Sequence, residues 1–121
     1  MKHWQIDQLP WDRFDPSKVD PELIPAIKAA AVVERNSVDY AQYLNNVFHN
    51  DPDFCTAADH WAEEEIQHGD ALGRWAMLAD PEWDYQAAFQ RYRDFYKIPL
   101  DVDHSVRGSR TGELIARCMV E

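Results

Sequence analysis

Glycine is scarce in this chain, at four residues of 121, and cysteine is scarcer still, at two. The four glycines fall in no G-x-x-x-x-G-K or G-x-G-x-x-G spacing, which excludes the usual phosphate-cradling loops. Cys55 and Cys118 stand far apart with no C-x-x-C, so a rubredoxin-type electron-transfer module is excluded, and both are expected to be free thiols. Basic residues are in the minority: 12 Lys and Arg against 22 Asp and Glu give a net charge of -10, which repels phosphate backbones and anionic lipid. Neither nucleic acid nor a membrane is therefore an expected partner. Long apolar runs are also missing, since no stretch approaches the ~18 residues of a membrane span and the N-terminus lacks an apolar signal region. The expected location is cytoplasmic.

The residues present suit one packed domain over 1–121, because 45% hydrophobic content is too high for a disordered chain and the length suits a single core. Pro10, Pro16 and Pro21, with Trp4, Trp11 and Phe14 between them, make residues 1–21 an arm that is expected to run extended against the body. From about residue 22 to 50 there is no glycine and only Pro25 in the first turn, which predicts one long helix. Asn50-Asp51-Pro52-Asp53 predicts a turn and an N-cap, and an Ala-, Glu- and Leu-rich stretch predicts a second long helix over about 53–79, stopped by Asp80-Pro81. A short turn between two long helices predicts an antiparallel hairpin. Shorter helices are expected over about 84–97 and 110–121, the latter ending without a cap or breaker. The fold class is all-α.

Steps of three and four residues trace an apolar stripe on each long helix. The first reads Leu23, Ile27, Ala30, Glu34, Val38, Ala41, Leu44, Phe48; the second reads Phe54, Ala58, Trp61, Glu65, His68, Leu72, Trp75, Ala79. Folding the pair about its turn puts Glu34 opposite position 67, so Glu34, Glu65 and His68 are expected at one depth. Facing carboxylates in an apolar seam repel each other and are costly to bury, so a cation between them is expected. Lys28, Arg35 and Arg74 fall off both stripes, which leaves protons, a partner chain or a metal ion. Two carboxylates and an imidazole suit iron or manganese better than a thiolate-preferring metal, and the i, i+3 spacing of Glu65 and His68 puts both on one helix face.

Glu34 on one helix and Glu65-Ile66-Gln67-His68 on the next resemble the first half of a ferritin-like, rubrerythrin-type di-iron carboxylate protein. The resemblance implies a helical bundle whose metal ligands here are Glu34, Glu65, His68 and, by its stripe with Leu114 and Cys118, Glu121. It implies Glu65 as the bridging carboxylate and an oxidoreductase that reacts with oxygen or peroxide, of the ferroxidase or peroxidase type. The second half of the bundle would come either from chain beyond residue 121 or from a second copy pairing as a dimer, as in encapsulated ferritins. The expected partners are thus metal ions and another copy of the chain.

Other readings compete with this one. The three polar residues could be a buried hydrogen-bonded cluster that sets the pairing register of a non-catalytic dimerisation module. His60, Glu64 and Gln67 form a second face that reads as a solvated acidic edge, and Cys118 reads as a small buried apolar group. Trp61 and Trp75 flank the proposed site, where they would limit water, though core packing explains them equally well.

Overall fold

The computed structural model describes residues 3–120, and among them every regular element is helical. Single 3-10 turns at Ile6–Gln8, Trp11–Arg13, Pro16–Lys18 and Pro21–Leu23 lead into α1 (Ile24–Arg35), α2 (Ser37–Val47), α3 (Pro52–Ala79), α4 (Tyr85–Phe95) and α5 (Arg110–Cys118). Helix starts follow the sequence closely. Asp51, Asp84 and Ser109 each accept a hydrogen bond from the backbone N–H three residues on, and Pro52 occupies the first turn of α3, where its missing N–H costs nothing. Among the described residues no helix is long and apolar enough to cross a membrane.

The arm corrects the expectation of an extended segment. Asp15 and Asp20 accept from the backbone of Ser17 and Glu22, and Pro16 and Pro21 follow them at the first turn position, so cap and proline together close isolated turns. The arm does lie on the body. The buried Gln67 Nε2 donates to the Trp4 carbonyl at 2.8 Å, the Arg74 guanidinium stands 4.6 Å from the Trp11 ring centre, and Phe14 meets Trp75 edge-on at 6.0 Å.

The expected first long helix is interrupted at Asn36, which has ψ near 1° and whose N–H is shared between the Val32 and Val33 carbonyls at 3.2 Å each. Asn and Ser favour local alternatives to the helical ladder, and Asn36-Ser37 marks the interruption. Beyond it the expected stripe holds at Ala41, Leu44 and Phe48, all buried, but not at every position. Leu23 and Val38, both expected inside, are 52% and 46% exposed, while Asn36, Ser37, Tyr43 and Val47 are buried. A single-seam reading assumes one covered face. Here α4 also packs on α1, burying Ala31 and Val32 with Tyr85 and Phe89, and the loop before α5 covers part of α2.

Helix α3 runs against α1 and α2 in the opposite direction, since Lys28 meets Asp80, Arg35 meets Asp70 and Asn45 meets Asp59. Gly69 permits a close approach of the α3 and α1 backbones. A Cβ at this position would lie 2.7 Å from the Arg35 nitrogen and 2.8 Å from the Ala31 oxygen. Ala31 and Arg35 flank Glu34 in sequence, and Gly69 adjoins His68. A close approach of these helices therefore coincides with the residues singled out by the seam.

Candidate metal centre

Glu34 projects from the last turn of α1, and Glu65 and His68 come from the middle of α3. One ligand atom from each lies within 4.8 Å of the others, and all three residues are partly buried. Glu65 Oε1 and His68 Nδ1 are 3.7 Å apart, with side-chain exposures of 12% and 43%. The cluster is thus sealed on the glutamate side and open on the histidine side. The nearby Arg35 guanidinium is drawn to Asp70, at 3.5 Å, and Asp70 in turn accepts from the Tyr85 hydroxyl at 3.1 Å.

The arm reaches the open side without closing it, since His68 keeps its 43% side-chain exposure with Trp4 in place. The Trp4 indole stacks on the His68 imidazole with ring centres 5.9 Å apart and planes within 4° of parallel. Gln67 holds the Trp4 backbone beside it, so the ring orientation of His68 is constrained from outside the helix. Gln67, expected on a solvated edge, is 5% exposed. Its neighbour Glu64 does stay at the surface, near His3 at 3.7 Å.

Of the four expected metal-ligating residues, the structure brings together Glu34, Glu65 and His68; Glu121 lies outside the described residues. The described members of the row that suggested Glu121, Leu114 and Cys118, face outward, as does Ile115. Leu114 and Ile115 are 39% and 57% exposed and Cys118 is exposed, which corrects its expected burial. The inward side of α5 instead carries Glu113, at 2% exposure. Its Oε1 accepts from the Tyr43 and Ser105 hydroxyls at 2.6 and 2.8 Å, and its Oε2 accepts from Tyr40 at 2.6 Å. A carboxylate with three hydroxyl donors can be buried where a bare one cannot, and this outweighs the apolar row in orienting α5.

Burial by itself would raise the Glu113 pKa, but the three hydroxyls and the charge of Arg107 overcome it and leave the carboxyl below its ordinary value. Burial first, and the hydrogen bond to Glu113 second, push the Tyr40 and Tyr43 hydroxyls up. Nothing in the α5 sequence marks Glu113, because an acid in a first turn is ordinary. Only the i, i+3 pair Glu113 and Ala116, beside the apolar row, could have suggested a second inward face.

Trp61 and Trp75 sit along the same helix as the cluster. Trp61 meets Tyr40 edge-on at 6.1 Å and lies 4.7 Å below the Arg117 guanidinium, so packing accounts for it. The donor chemistry of the cluster fits a divalent cation of intermediate hardness: two carboxylates supply charge, one imidazole supplies a nitrogen, and three protein donors leave positions open. No family model, curated protein or solved structure matches the chain.

Proposed function

We propose that Glu34, Glu65 and His68 are the ligands that this chain contributes to a di-iron carboxylate centre, in a ferritin-like oxidoreductase. The observation that carries the reading is the convergence of two glutamates from different helices with the histidine one turn beyond the second, all within 4.8 Å. The antiparallel run of α3 along α1 and α2 is the supporting geometry, since it matches half of a four-helix bundle with inward ligands. Glu65, at 12% side-chain exposure, would bridge two ions, and Glu34 and His68 would bind one ion each. Bound iron would supply one-electron chemistry with oxygen or peroxide; manganese is the alternative occupant.

The chain's own residues perform the protein's part. Gly69 sets the helix spacing that brings Glu34 within reach, and the Trp4 stack fixes the imidazole plane and limits water on the open side. The rest of the ligand set is assigned to Glu121 or to a second copy of the chain.

A second reading has its own observation. Ile115, Met119 and Val120 form an apolar surface, at 57%, 83% and 69% exposure, which also suits a non-catalytic dimerisation module.

Metal content per chain separates the two. After anaerobic reconstitution with Fe(II), elemental analysis should find about one iron per chain in a site shared by two copies. Glu65→Ala should remove it. Iron content no higher in the wild-type chain than in Glu65→Ala would overturn the metal reading and favour the interaction module.

A further inference from the structure

A cavity of about 210 Å³ opens between the α1–α2 interruption, α4 and α5, and none of the three candidate metal ligands lines it. Its walls combine three chemistries. Tyr40, Tyr92 and Tyr96 present aromatic surface, Arg107 and Arg117 bring two guanidinium groups, and Asn36 brings a carboxamide. In a chain of net charge -10, two cations on one concave surface are a local reversal of sign. The single carboxylate there, Glu113, has both oxygens engaged by the Tyr40, Tyr43 and Ser105 hydroxyls. An incoming anion therefore meets more positive than negative charge.

Asn36 supplies the second specific feature. It is 4% exposed, and among the described residues its Oδ1 meets no hydrogen-bond donor. A buried acceptor left this way is destabilising, and it sits where the helix is interrupted. The amide torsion of Asn is broad, so a modest rotation turns the group toward a donor in the cavity. Size narrows the ligand further. A cavity of ~150 Å³ suffices for benzene, so this one admits a single substituted ring.

We propose that the cavity binds a small planar aromatic carboxylate bearing a ring hydroxyl, with the carboxylate on Arg107 and the hydroxyl on the Asn36 amide. A guanidinium recognises a carboxylate through two parallel hydrogen bonds, and the tyrosine rings pack on the faces and edges of a flat body. Arg107 stands on a loop held at its backbone, where its N–H donates to Ser105 Oγ at 3.0 Å. Arg117 is held across the Tyr40 and Trp61 rings at 5.2 and 4.7 Å, which leaves it a source of field more than of direct contact.

The test is a titration of the chain with 4-hydroxybenzoate, followed by ligand-detected NMR, with a chelator present so that no metal contributes to carboxylate binding. Benzoate and phenol are the comparators. Saturable binding of 4-hydroxybenzoate, tighter than of either comparator, is expected. Arg107→Gln, a surface change that spares the backbone contact, should weaken it about tenfold or more. Asn36→Leu should erase the preference for 4-hydroxybenzoate over benzoate. Absence of saturable binding at millimolar ligand, or equal affinity in wild type and Arg107→Gln, would overturn the proposal. Retained binding in Glu65→Ala supports it, because that variant removes the candidate metal centre and leaves the cavity intact.

Discussion

Two regions of the molecule bury carboxylates, and they do so in opposite ways. Glu113 is enclosed at 2% exposure and receives three hydroxyl hydrogen bonds, so its charge is solvated by the protein itself. Glu65, at 12% side-chain exposure, faces a second glutamate and an imidazole in a cluster with an open histidine side. Donors gathered around one carboxylate build a structural tie between α2, α5 and the loop before it. Acceptors gathered around a common point build a place for a cation. The same residue type thus serves cohesion in one place and ligand recognition in the other, and the chemistry of its neighbours decides which.

The largest expected difference comes from deleting each carboxylate in turn. Glu113→Leu would leave the Tyr40, Tyr43 and Ser105 hydroxyls buried without their acceptor, at ~1–3 kcal/mol each before relaxation, so a total loss of ~3–5 kcal/mol is expected in urea unfolding. Glu65→Ala should change metal-free stability by less than ~1 kcal/mol or raise it, since it relieves repulsion with Glu34. Equal losses in the two variants would erase the distinction.

Gly69→Ala should have the next largest effect. Its methyl would meet the α1 backbone at 2.7–2.8 Å, with no flexible side chain to yield, so the helices must separate at ~1–3 kcal/mol. Separation moves Glu34 away from Glu65 and His68, so metal binding should fall together with stability. The Glu113 hydroxyl network should survive, as judged by unchanged near-ultraviolet signals from Tyr40 and Tyr43. A variant of normal stability and normal metal affinity would show that the close approach does not set the site.

Acid should act in part through Glu113. Its folded pKa lies below the ordinary 4.5, so it contributes stability that is present above that value and lost as pH falls through the folded pKa. Replacing it with Gln should make the decline of unfolding free energy below pH 4.5 shallower than in wild type. An unchanged slope would place the acid sensitivity elsewhere.

Trp4→Ala should have the smallest effect on stability, about 1 kcal/mol or less for one stacked pair at the surface. Its effect on the metal centre should be larger in proportion, because a partner that orients a ligating histidine is worth ~10–100-fold in affinity. Metal affinity equal to wild type would reduce the Trp4 contact to packing.

Much of the helical layout was legible in the residues alone. The start of α3 at Pro52 lies within a residue of the expected 53, and its end at Ala79 follows from Asp80-Pro81. The convergence of Glu34 with Glu65 and His68 follows from two stripes and one turn, because helical periodicity converts spacing into direction and a tight turn fixes which levels face each other. The interruption at Asn36 was not legible, since a lone Asn is tolerated inside many helices and its effect depends on what packs around it. Burial of Gln67 against Trp4 was hidden for a similar reason, as it depends on where the arm returns.

The sequence by itself determined that the chain is helical, where α3 begins and ends, and which three polar side chains interrupt the apolar seam. These follow from local steric and capping rules that act over a few residues. Only the tertiary structure decided which face of α5 turns inward, that Glu113 is buried with three hydroxyls, and that Trp4 stacks on His68. Each of those contacts joins residues many positions apart, and its energy depends on burial and on partners that local periodicity does not encode.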